Sequence, residues 1–224
     1  MDNNKKYLNI PLPMLKDLHT RSKQFFDDIF DVGVFLQSKT LVGTDEKRYK
    51  DALHFLGVTQ GSSVHNAVSN AKTILSRLPS KYPTTGIEKE MYFDYYKNYK
   101  DEFEIICLSA FLGSRSILGK KPYCKTNKNF IHARMFGYTT VKQMSAELTP
   151  IEKKYKTRRM MDKVLNELEM NWYLKILSNH QRGMIISFDL SYDELALIIE
   201  KQKQQTKIQQ ITEAKRKAIR NAKK

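Results

Sequence analysis

The chain has little cysteine and none of the short motifs that carry familiar catalytic chemistry. Its two cysteines, Cys107 and Cys124, stand apart, with no CxxC pair and no Cys/His cluster, which argues against a zinc site. The histidines His19, His54, His65, His132 and His180 are scattered, with no HxH pair. Neither GxxxxGK(S/T) nor GxSxG occurs. No window approaches the roughly 18 consecutive apolar residues of a membrane span, and the opening MDNNKKYLNI lacks the apolar core of a signal peptide. These absences predict a reduced, cytoplasmic, non-membrane protein that is not an enzyme and needs no cofactor.

At 224 residues with 41% apolar and 11% aromatic content, the chain can bury one good core or two small ones. Its net charge of +15 is unevenly placed. Residues 1–100 hold 15 Lys/Arg against 11 Asp/Glu, and residues 120–182 hold 14 against 5. Residues 183–200 hold none against 4, and residues 201–224 hold 9 against 1. Charge focused in this way favours a polyanionic partner, the other explanation being a lysine-rich solvated surface.

Read for organisation, the N-terminal part is helical. Pro11 and Pro13 suit an extended lead-in and a helix start. Leu15, Leu18, Phe25, Phe26, Ile29, Phe30, Val34 and Phe35 place one or two amphipathic helices between Met14 and Leu41. Further helices are expected over Asp45–Leu56 and Ser62–Leu78. Between Ala52 and Leu75 the pattern is that of a helix-turn-helix around Leu56-Gly57-Val58, or of a plain helical hairpin; the apolar residue after the turn comes one place late, at Val64, and Ser62-Ser63-His65-Asn66 is polar but not basic, which favours the hairpin. The Pro-, Thr- and Gly-rich run Pro79–Gly86 is the best domain boundary. Beyond it come an aromatic helix over Glu88–Asn98, an apolar helix over Glu102–Leu118, a short strand at Tyr123–Lys125 and a short helix through Phe130–Phe136 stopped by Gly137. Residues 138–150 read as a loop before a long helix beginning near Thr149-Pro150.

That long helix carries the functional signal. Met161, Val164, Leu165, Leu168 and Trp172 form an apolar stripe, and Lys156, Arg159, Lys163 and Asn166 a second one, with Arg158 beside it. Tyr173–Leu177 and Met184–Phe188 then alternate like strands around the turn Ser178–Gly183. Helix, short strand, helix, helix, strand, wing, strand over residues 101–190 resembles the winged-helix superfamily. With the helical N-terminal region and basic tail, the whole is similar to small DNA-binding proteins of phages and plasmids, including replication initiators.

The expected architecture is therefore mainly α with a small β-hairpin: a helical region over 1–86, a winged helix over 87–190 and a basic C-terminal helix or tail over 191–224. Ser191 and Glu194 form a capping box for that last helix. Its second half has too little apolar area to stay ordered alone.

In this reading Lys156, Arg158, Arg159, Lys163 and Asn166 divide phosphate contacts and base edges between them. Lys128 and Arg134 add charge on the helix before. Lys175, His180, Gln181 and Arg182 belong to the wing, and Lys215, Arg216, Lys217 and Arg220 supply sequence-independent affinity. Asp27, Asp28 and Asp31 are read as a solvent face before they are read as carboxylates of a metal-dependent nuclease. The tyrosines around Tyr92–Tyr99 and Cys107 are read as core. The expected function is non-catalytic binding of double-stranded DNA, in replication initiation or transcriptional control of a mobile element, with a homodimer or a replication or transcription protein as further partner. A protein–protein adaptor is the alternative.

Overall fold

The extended lead-in before the first helix finds its pairing partner more than seventy residues away. Strand β1 (Tyr7–Pro11) runs antiparallel to β2 (Thr84–Glu88), with Tyr7 opposite Glu88 and Pro11 opposite Thr84. Leu8 and Ile10 point inward and are fully buried. The run expected as a domain boundary thus contains the start of β2, since the β-branched Thr84 and Thr85 suit a pleated strand. The buried Thr85 hydroxyl donates to the Leu112 carbonyl at 2.8 Å. The computed structural model describes residues 6–20, 22–59, 63–144, 147–179 and 183–222, the side chains of 179 and 217–222 excepted.

The protein is mainly α, with two small antiparallel sheets. A 3-10 segment (Leu12–Thr20) leads to α1 (Lys23–Ser38), whose N-terminus is capped by Ser22 accepting from the Phe25 amide. Helix α2 (Asp45–Leu56) is capped by Thr44 and closed by Gly57 in the left-handed region, at φ 66°. It forms a hairpin with α3 (Val64–Arg77), which lies against α1. Helix α4 (Lys89–Lys97) buries Tyr92 among Phe26, Phe30 and Tyr96, and its hydroxyl donates to the Phe26 carbonyl at 2.9 Å.

Helix α5 (Glu102–Leu118) opens with a capping box between Asp101 and Glu104 and is buried at every residue from Ile105 to Ser114. A helix apolar all round must be enclosed by other elements. Here β2 and the 3-10 segment lie against it, as do α6 (Lys128–Met135) and α8 (Arg158–Asn171). The approach of α6 is the tightest. A Cβ added to Gly113 would sit 2.9 Å from the Met135 amide nitrogen, and Ser109 donates to the Met135 carbonyl.

The long helix expected from Thr149 onward is two helices, α7 (Pro150–Lys156) and α8, separated at Thr157. Thr157 is extended, with ψ 143°, and its hydroxyl turns back to the Lys154 carbonyl at 2.9 Å. Such local side-chain bonds compete with helix continuation. Strands β3 (Cys124–Thr126), β4 (Lys175–Asn179) and β5 (Gly183–Ser187) form a sheet in the order β3-β5-β4.

Helix α9 (Tyr192–Ala222) starts at the expected Ser191–Glu194 capping box. It covers the sheet with Leu195 and Ile199, packed on Ile185, and remains helical through its basic second half. The remaining core is one apolar cluster drawing on both sides of residue 86, from Leu8 to Ile186.

Gly113→Ala is expected to destabilise the protein by about 1–3 kcal/mol, because α5 and α6 backbones must separate. Urea unfolding followed by circular dichroism measures it; an unchanged midpoint would refute so close an approach.

Candidate nucleic-acid interface

Helix α8 buries Met161, Val164, Leu165 and Leu168 against the core. The helical period then forces the opposite face outward. Arg158, Arg159, Lys163 and Asn166 are all exposed on it, Arg158 with 92% of its side chain open; Lys156 is exposed too but ends α7, so the basic stripe expected as one is divided at Thr157. Lys156 and Arg159 have no ion-pair partner among the described residues. The Lys163 ammonium lies 4.2 Å from the centre of the Phe103 ring, so its stem crosses α5 while its charge stays at the surface.

The start of α8 runs against ordinary helix electrostatics. No side chain caps it, and its first turn holds Arg158 and Arg159 but no acidic residue. Helix N-termini carry partial positive charge and favour anions. The uncapped first amides of α8 and the charges of two arginines in the same turn would together stabilise a phosphate or carboxylate there.

Asp162, which the sequence reading passed over, is the local counter-ion. It pairs with Lys128 and sits 3.8 Å from the Arg158 Nε. Lys128 is thus turned toward α8 rather than outward. Arg134 folds over Phe130, its guanidinium 4.9 Å from the ring centre, with Nε and Nη1 buried and unpartnered; burial lowers its pKa. Lys175 reaches the Phe188 carbonyl at 3.4 Å and lies at the base of the β4–β5 hairpin. His180, Gln181 and Arg182 lie outside the described residues. Lys215 and Arg216 are exposed on α9, and the Lys217 and Arg220 side chains lie outside the description. The sequence reading also left out Lys153 and Lys154, both exposed on α7; Lys154 is paired with Glu102 at 2.6 Å.

Beneath this face, α6 is tied to α7 by a buried polar group with no sequence signature. His132 donates from Nε2 to the Glu152 carbonyl at 2.9 Å, and its Nδ1 is buried without a partner. The Glu152 carboxylate accepts from the Thr149 amide at 2.7 Å and from its hydroxyl at 2.8 Å, with Tyr138 as a further donor. Burial lowers the His132 pKa, assisted by the Lys156 charge and opposed by Glu152. Burial of Glu152 acts to raise its pKa, but the Thr149 and Tyr138 hydrogen bonds outweigh it and keep the carboxylate ionised below its ordinary range.

In the N-terminal region, Asp28 and Asp31 are bridged by Asn70 Nδ2 at 2.9 and 3.0 Å, and Tyr49 donates to Asp31 at 3.2 Å. These carboxylates join α1 to its neighbours. Among the described residues no group of three or more His, Cys, Asp or Glu is arranged to hold a metal ion, and no helix is long and apolar enough to cross a membrane. Cys107 is buried and its thiol pushed up to about 12, chiefly by burial, which leaves it unreactive. No protein-family model, curated protein or solved structure matches the chain.

Stability should depend on pH in two stages. The unfolded chain protonates His132 near 6.5 and folded His132 resists, so its contribution is complete above 6.5 and is lost as pH falls through the folded pKa. Glu152 contributes above 4.5 and loses that contribution as pH falls through its own lowered pKa. His132→Gln should remove the upper stage only, as read from urea midpoints between about pH 7.5 and about 3. A midpoint equally steep in the variant would refute the assignment.

Proposed function

We propose that the protein binds double-stranded DNA through a winged helix formed by α5, β3, α6, α7–α8 and the β4–β5 hairpin. The observation that carries this reading is the exposed face of α8, where Arg158, Arg159, Lys163 and Asn166 stand over an apolar stripe that is fully engaged, with Lys156 exposed at the end of α7 just before it. The element order and the β3-β5-β4 sheet support it, as does the surplus of Lys/Arg over 120–182 and 201–224.

In this arrangement Arg158, Arg159 and the uncapped start of α8 take phosphates, while Lys163 and Asn166, one and two turns further on, face the groove. Arginine and lysine suit guanine O6/N7 and asparagine suits adenine N6/N7, so the residue types permit base readout as well as backbone affinity. Replication initiation or transcriptional control of a mobile element is the role that fits a small non-catalytic duplex-binding protein of this kind, acting as a homodimer or with a replication or transcription protein.

Anisotropy titrations with random-sequence duplex at several salt concentrations test the reading. Affinity should fall steeply with salt, by about 0.9 log units per log unit of salt for each phosphate neutralised. Arg158→Ala with Arg159→Ala should lower affinity by about tenfold or more and flatten that slope. Binding that ignores both salt and this double substitution refutes the interface.

Asp162→Asn offers an opposite prediction. By releasing Lys128 and Arg158 from their shared counter-ion, it should tighten non-specific duplex binding and steepen the salt slope by about one unit or less. Unchanged or weakened binding would mean that Asp162 orients these cations instead of neutralising them.

A further inference from the structure

Helix α9 has two apolar faces, and the body of the protein covers one of them. Leu195 and Ile199 pack on Ile185 of the sheet, and Gln202 and Thr206 continue that side, partly buried. Ile208 is about two and a half turns beyond Ile199 and therefore stands on the opposite side of the helix. Leu197 and Ile211 stand there with it, and the three are 56% (Leu197), 63% (Ile208) and 48% (Ile211) exposed. From Lys207 to Arg216 every side chain is exposed. Nothing in the body packs on that part of the helix, although packing is what stabilises most helices.

The outer face has the spacing of a two-stranded coiled coil. Leu197, Lys201, Gln204, Ile208, Ile211 and Lys215 follow one another at alternate intervals of four and three residues, as do the a and d positions of a heptad. In the sequence, Ala218 and Ala222 continue the series.

The cations in this series select the occupant's direction. Beside a parallel copy, Lys201 would meet Lys201 and Lys215 would meet Lys215 within the seam. Residues 209–224, with six Lys/Arg against one Asp/Glu, would also lie on their own likeness. An antiparallel copy centred between Ile208 and Ile211 sets Ile208 against Ile211, Lys201 against Ala218 and Lys215 against Gln204, with Glu200 one turn further on. The 209–224 half then lies along the 192–208 half, which carries three acidic and three basic residues.

We propose that this face binds a second copy of the chain, the two α9 helices pairing antiparallel about Ile208 and Ile211. The overlap runs from position 197 to position 222, about 37 Å. Polar residues in such a seam lower stability but fix register and direction, so the dimer is weak and has one orientation. The proposal supplies the homodimer of the duplex-binding reading with a definite element. It rests on α9 alone, and its test contains no DNA, so it stands or falls apart from duplex binding.

Sedimentation equilibrium of the full chain, in about 0.3 M salt to screen the repulsion between two +15 chains, should show reversible dimerisation with Kd between about 1 and 100 µM. Ile208→Asp with Ile211→Asp should weaken it by at least about tenfold. Both residues are exposed, so the fold should survive, and an unchanged near-ultraviolet circular dichroism spectrum checks this. Gln210→Asp, on the side of the helix away from the seam, should change Kd by less than about twofold.

Cysteine cross-linking in a Cys124→Ser background reads the direction. Leu197→Cys and Ala222→Cys chains should form a disulfide-linked dimer when mixed, and Leu197→Cys alone should not. A chain still monomeric at about 200 µM, association unchanged by the double substitution or equally lost in Gln210→Asp, or self-cross-linking of Leu197→Cys would each overturn the proposal.

Discussion

The enclosure of α5 on all sides is the constraint from which the rest of the structure follows. A helix with no polar stripe has no stable position at a surface, and from Ile105 to Ser114 this one exposes nothing. The N-terminal region closes one side, where Thr85 fixes β2 to the Leu112 carbonyl. Helices α6 and α8 close another. Small residues set the spacing: Gly113 and Ser109, one turn apart, bring the α6 backbone into direct contact. The two halves of the chain therefore share a helix, and the apolar cluster passes through it without a break.

That enclosure also decides where charge is exposed. With the apolar stripe of α8 committed to α5, its basic stripe has only one direction left. The short helix before it, α7, is pinned by polar contacts of its own. Tyr155 donates to Glu102 at 2.9 Å, Lys154 pairs with the same carboxylate, and His132 holds the α7 backbone through the Glu152 carbonyl. The break at Thr157 permits α7 and α8 to take separate directions, each with its own anchoring. The buried members, Tyr155 and His132, specify one arrangement more sharply than apolar packing does, because an unpaired buried polar group carries a large penalty.

Much of this was legible in the sequence, and the parts that were not share a cause. The spans Asp45–Leu56 and Glu102–Leu118 coincide with α2 and α5 because each starts at an acidic or hydroxyl cap and ends at a glycine with positive φ, Gly57 or Gly119. The outward stripe of α8 followed from periodicity alone. Strand β2 was hidden because its pairing with β1 is remote in sequence and its composition is that of a loop. The break at Thr157 was hidden because one hydroxyl choosing a local carbonyl outweighs an unbroken apolar period. Likewise, whether an arginine faces solvent depends on its neighbours in space: Arg158 does, while Arg134 lies on Phe130 with two nitrogens shut away.

The beginning of α8 shows most clearly where stability and function pull apart. Several other helices follow the electrostatic rules of helix ends closely. Capping boxes open α5, α7 and α9, and Asp45 and Glu46 occupy the first turn of α2. At α8 alone among these helices, two arginines stand at the positive end of the dipole and no side chain satisfies the first amides. Each such cation forgoes a few tenths of a kcal/mol to about 1 kcal/mol that an acidic residue would have contributed. Asp162 relieves part of this repulsion from one turn away, yet Arg159 stays without a counter-ion among the described residues. Two cations without full neutralisation at the positive end of a helix dipole make a position that an outside anion would stabilise. An anion seated at that turn would satisfy the amides and both guanidinium groups together, which is the role the proposed duplex interface gives to a backbone phosphate.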